Sequence, residues 1–169
     1  MATELYDLTV TPFSRGLRAL SAILDKAVAH AAATGVDADA WLSLRLIDDM
    51  NPLIKQIQTT CDSPKLCVAR LSGIAAPVHD DSEKTIAELQ VRIAETLAYL
   101  QSVPRETIDG QEAREVILTF PGGEMKFEGQ PYVTGFAIPN FYFHLTTAYA
   151  LLRAQGVPIG KRDYMGVPG

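Results

Sequence analysis

Apolar side chains recur at three- and four-residue steps through Phe13, Leu17, Leu20, Leu24, Ala27, Val28 and Ala31. This predicts an amphipathic helix over residues 12 to 33, closed by Gly35. A second helix is expected to open at Asn51 and Pro52, an N-cap side chain followed by a proline at the first helical position, where its missing N–H costs nothing. Leu53, Ile57 and Cys61 would face inward. Pro64 falls inside this run and its ring would meet the carbonyl of Thr60, so a kink is expected before the helix ends at Gly73. Residues 74 to 81 read as a linker. Ser82 is placed to cap a third helix with the stripe Ile86, Leu89, Ile93, Leu97 and Leu100, which Pro104 terminates.

Between 105 and 137 the period shortens to two. Val116, Leu118 and Phe120 alternate with Ile117 and Thr119, and Pro121-Gly122-Gly123 turns the chain into Met125, Lys126 and Phe127, which predicts a short β-hairpin. Two strands are marginal alone, so this one must lean on helices. Pro139 is expected to start the last helix, with Phe141, Leu145, Ala148 and Leu152 as its apolar face and Gly156 and Pro158 as its stop. The pattern as a whole reads as one all-α domain over residues 1–169: four helices with a small β-hairpin inserted between the third and the fourth. The connection carrying the hairpin is far longer than antiparallel neighbours need, so it can cross the end of a bundle and let two adjacent helices run parallel.

Composition narrows the function. With 169 residues, 47% hydrophobic and 21% charged, the chain is apolar enough to fold as one domain. A net charge of -5 and no cluster of Lys and Arg argue against binding nucleic acid, which needs a concentrated basic surface. Charges such as Asp25 and Arg45 interrupt every apolar stretch, so no membrane span is expected. The N-terminus carries Glu4 and Asp7 and no basic segment ahead of an apolar one, so no secretory signal is expected either. Cys61 and Cys67, six apart on one helix, point to different sides and read as small buried hydrophobes, which fits a reducing, cytoplasmic location.

The chain has no glycine-rich phosphate loop, no Gly-x-Ser-x-Gly, no His-Glu-x-x-His and no Cys-x-x-Cys. His30 reads as a surface or capping residue near a helix end, and His79 falls in the polar linker with no role. His144 is different. It lies mid-helix one turn after Asn140, Thr147 extends the same polar edge, and the second helix offers Gln58 and Asp62. These five residues are the candidate pocket, with His144 as the candidate catalytic group. The competing reading is a structural network pinning the second helix to the last. The aromatic run Phe141, Tyr142, Phe143 and Tyr149 cannot all face one core, so at least one is expected to meet the hairpin or a second chain.

The stretch Asn140-Phe-Tyr-Phe-His144-Leu-Thr-Thr-Ala-Tyr-Ala-Leu-Leu-Arg153-Ala-Gln-Gly156 resembles the last helix of the DinB-like superfamily, where His-x-x-x-His precedes Leu-Leu-Arg-x-x-Gly. With Asp49-Met-Asn-Pro-Leu53, Gln56, Gln58, Cys61, Asp62 and the closing Gly160-Lys-Arg-Asp-Tyr164, the chain is similar over nearly its whole length to a family in that superfamily known only as a domain of unknown function. The resemblance implies an up-down-down-up four-helix bundle, often a homodimer. Metal-binding members use three histidines, whose positions fall here on Gln58, Asn140 and His144. Two imidazoles are thus replaced by carboxamides, poor ligands for zinc or nickel, so no cofactor is expected, and a weakly held divalent metal at His144 is the most the resemblance leaves room for. It implies either a small-molecule-binding or scaffold protein with a degenerate metal position, or a thiol-dependent transferase or weakly metal-dependent enzyme using His144.

Overall fold

A computed structural model describes residues 4 to 167. A short helix, α1 (Leu5–Leu8), leads into α2 (Val10–Thr34), which ends where Gly35 turns left-handed at φ 70 and its N–H returns to the carbonyls of Ala31 and Ala32. The predicted stripe is buried in Phe13, Leu17, Leu20, Leu24, Ala27 and Ala31, whereas Val28 lies 45% exposed, one residue off that face. A 3-10 turn, Ala38–Ser43, then sets Trp41 and Leu42 into the core.

The second long helix, α3 (Leu53–Ser72), starts one residue later than the cap chemistry suggests. Pro52 itself stands at the N-cap in extended backbone, and Asn51 serves instead as the carbonyl that accepts from Gln56 Nε2. The helix runs without a break through the buried Pro64. In the third, α4 (Ile86–Ser102), the cap is Thr85 rather than Ser82. Thr85 Oγ1 accepts from the Glu88 N–H while Glu88 reaches back to the Thr85 N–H, a reciprocal pairing that Ser82 sits too early to make.

Strands β1 (Glu115–Phe120) and β2 (Gly123–Glu128) pair antiparallel, with Phe120 opposite Gly123 across a two-residue turn. Val116 and Leu118 point inward; Ile117 and Phe120 are exposed. Directly after β2 the chain becomes helical. Helix α5 (Gly129–Tyr132) passes through a π turn, Val133–Ala137, into α6 (Ile138–Ala154). The last helix therefore begins well before Pro139, contrary to expectation. Proline at position 139 has no N–H for the carbonyl of Gly135, and the wider turn, in which the Ile138 N–H reaches Val133 O, absorbs that defect. Gly129 is required at the entry, because a Cβ there would lie 2.1 Å from the carbonyl oxygen of Gln111. A closing turn, α7 (Lys161–Tyr164), docks on α2 through the Lys26–Asp163 ion pair and on α6 through the Tyr164 hydroxyl, 2.8 Å from Thr146 Oγ1.

The protein is thus mostly helical, with one small antiparallel hairpin. The four long helices share one core: α3 packs on α6 and α4, and α2 packs on α4 and α6. Among the described residues no helix is long and apolar enough to cross a membrane.

Candidate functional site

Three polar side chains on α3, seven residues apart, meet three on the last helical run. Gln56 Oε1 lies 2.7 Å from His144 Nδ1, Ser63 Oγ accepts from Asn140 Nδ2 at 2.6 Å, and Arg70 donates to the Tyr132 hydroxyl at 2.9 Å. As the α3 number rises its partner's falls, so α3 and α6 run antiparallel. Seven residues are close to two helical turns, which keeps all three α3 positions on one face. Gln56 is orientated by its own Nε2, which donates to the Asn51 carbonyl, so its oxygen faces the ring and Nδ1 carries the proton. Burial lowers the pKa of His144, and its imidazole is neutral at pH 7.

The middle and far rungs border a cleft of about 150 Å³ between α3, β1 and the π turn. Thr59, Asp62, Ser63 and Asn140 stand at one end and Arg70 and Tyr132 at the other, with Leu66 and Phe136 between them along the two helical runs, while Leu118 and Phe120 line the cleft from β1. Arg70 also lies over the Tyr132 ring, 5.8 Å from its centroid. Burial pushes the Tyr132 hydroxyl up to about 12, so it keeps its proton.

A second polar cluster lies on the other side of α3. The Arg92 guanidinium, 2% exposed, bonds Asp62 at 2.8 Å, Asp81 at 2.7 Å and Glu83 at 2.9 Å. Lys65, also buried, bonds Asp62 at 2.9 Å and donates to His79 Nδ1 at 3.0 Å, while His79 Nε2 faces Glu95 at 3.2 Å. Gln58 donates to Glu83 at 2.9 Å, and Lys55 pairs with Asp81. The network ties the segment before α4 onto α3. His79, read above as having no role, is a member of it; burial first, then the positive charge of Lys65 and Arg92, lowers its pKa.

The five sequence candidates are therefore divided. Asn140 and His144 reach α3, but through Ser63 and Gln56, not Gln58. Gln58 belongs to the Arg92 network, Thr147 bonds back to the Phe143 carbonyl of its own helix, and Asp62 stands between the two, bonded into the network while lining the cleft.

The model of the family described as Domain of unknown function (DUF1993) matches residues 5–165. The chain belongs to the DUF1993 family. The DUF1993 chain is also similar to a solved structure, a DinB family member protein from Shewanella denitrificans: 46% identity, a TM-score of 0.89, and coverage of 97% of this chain and 93% of that one. No curated protein matches.

The resemblance to DinB-like proteins raises the question of a metal, and the donor set of this DUF1993 chain does not fit one. Gln58, Asn140 and His144 are turned to Glu83, Ser63 and Gln56, three separate partners, and the two carboxamides are weak donors to zinc or nickel. Among the described residues no group of three or more His, Cys, Asp or Glu is arranged to hold an ion. Cys61 and Cys67 are free and buried, with burial pushing each thiol up to about 12. The residues that sequence reasoning missed are Gln56, Ser63 and Arg70. Their signal was present as a seven-residue polar repeat on α3; Tyr132 carried none, because its helix was not foreseen.

Proposed function

We propose that the protein is a small-molecule binder built on an up-down-down-up DinB-like four-helix bundle, and that its site is the cleft between α3, β1 and the π turn rather than a metal centre. One observation carries this reading: the cleft has an apolar middle and, at both ends, side chains with hydrogen-bonding capacity that no protein group uses. The Asn140 carboxamide oxygen, the Ser63 hydroxyl proton and the remaining guanidinium N–H groups of Arg70 have no recorded partner among the described residues. The π turn at its wall supports the assignment, because such turns recur at functional sites. At about 150 Å³ the cleft falls below the ~300 Å³ of drug-sized pockets, so its ligand is small.

The former metal positions act in this reading as structural contacts. His144 holds Gln56, and Asn140 holds Ser63 at the edge of the cleft. No contact favours thiol transfer by His144. The free thiols accord with a cytoplasmic location. We further propose a homodimer, with Phe143, 55% exposed on α6, in its interface.

Amide spectra of isotope-labelled protein test the site. With phenylacetate and phenylacetamide added in turn at millimolar concentration, shifts are expected at Ser63, Arg70, Phe136 and Asn140. Shifts confined to other faces of the molecule, or none with either compound, would remove the cleft as the binding site.

A further inference from the structure

Buried charge is costly unless it is paired, and this protein pairs it with one exception. Four of its described lysines and arginines are not exposed: Lys55, Lys65, Arg70 and Arg92. Lys55 meets Asp81, Lys65 meets Asp62, and Arg92 meets Asp62, Asp81 and Glu83. Arg70 has no carboxylate within 4.0 Å among the described residues; its recorded partner is a neutral phenol. In a chain of net charge -5 with 20 acidic residues, a half-buried guanidinium left without one of them stands out electrostatically, and it lines the proposed cleft.

We propose that Arg70 and Tyr132 form the anion end of the site and that the ligand is a small monocarboxylate with an apolar body. This rests on the reading of the cleft as a binding site. A guanidinium offers a planar fork of N–H donors that matches the two oxygens of a carboxylate, and the protonated Tyr132 hydroxyl adds a third donor beside it. A dianion such as phosphate fits less well. The site supplies one unpaired positive charge, and the Asp62 carboxylate lines the same cleft. Beyond the carboxylate, Leu66, Leu118, Phe120 and Phe136 offer apolar surface to the body of the ligand. Ser63 lies seven residues back along α3 from Arg70, about 10 Å at 1.5 Å per residue, and with Asn140, which donates to it from α6, can take a polar group at the other tip.

Affinities of phenylacetate, hexanoate, phenylacetamide, hexanamide and inorganic phosphate, measured by calorimetry on the wild type, Arg70→Gln and Tyr132→Phe, test the inference. Each carboxylate is expected to bind on the order of tenfold more tightly than its amide. Arg70→Gln should erase that preference while leaving amide binding in place, and Tyr132→Phe should reduce it. Equal binding of acid and amide to the wild type, a preference that survives Arg70→Gln, or tighter binding of phosphate would each overturn the carboxylate assignment and leave the cleft standing. Binding of none of the five would overturn both. Should Arg70→Gln fail to fold, the acid-to-amide ratio on the wild type still decides.

Discussion

At the level of single residues, His144, singled out in sequence for chemistry, meets a protein partner in space. Its Nδ1–H is committed to Gln56, whose own amide is committed to the Asn51 carbonyl, so the ring is held in one tautomer by a chain of two bonds. Burial disfavours the imidazolium and lowers the folded pKa below the ordinary 6.5. As pH falls through 6.5 the unfolded chain takes up the proton first, so stability is full above that value and declines towards the folded pKa. His79 acts in the same direction. Thermal unfolding followed from pH 7.5 to pH 5 should therefore show a falling midpoint, and His144→Gln should make the fall shallower without abolishing it. An equal slope in that variant would mean that the ring is not held neutral.

At the level of elements, the network around Arg92 decides where the segment from Gly73 to Thr85 lies. The guanidinium is nearly inaccessible, while Asp62, Asp81 and Glu83 keep some contact with water, their side chains 27%, 35% and 13% exposed. Arg92→Ala leaves three carboxylates facing one another, and its cost in denaturant unfolding is expected to be about 3 kcal/mol, the lower end of what breaking a buried pair costs. The segment should also become open to protease before the helices do. The same elements show what sequence could and could not say. Helix stripes were legible because period alone marks a buried face, as in Phe13 through Ala31 or Ile86 through Leu100. The hairpin was legible from its turn. Caps were misplaced by a few positions because Ser82 and Thr85 both suit a cap, and only the reach of Glu88 chooses between them. The helical run before Pro139 was hidden because a proline after a hairpin reads as a helix start, whereas here the helix passes through it by way of the π turn.

For the molecule as a whole, the candidate site was half legible. Asn140, His144 and Asp62 were recognised as polar residues beside the core, yet which residue of α3 each would meet depends on helix rotation, which no local pattern contains. Gln56 and Gln58 differ by two positions, about 200° around the helix, and so face opposite neighbours. The proposed homodimer is tested at this scale as well. Light scattering is expected to give twice the chain mass, and Phe143→Glu should halve it, since a charge within an apolar contact must be desolvated on association. A wild-type monomer, or a dimer unchanged by the substitution, would exclude this face.

The widened turn at Val133–Ala137 also bears on how this chain can vary. Shortening that stretch by one residue would restore a regular helix, but it would swing everything before it by about 100° relative to everything after. Tyr132 would then leave Arg70 while Asn140 stayed with Ser63. Spelling there is free within broad limits, whereas the number of letters is not, and relatives that keep the cleft should keep the count.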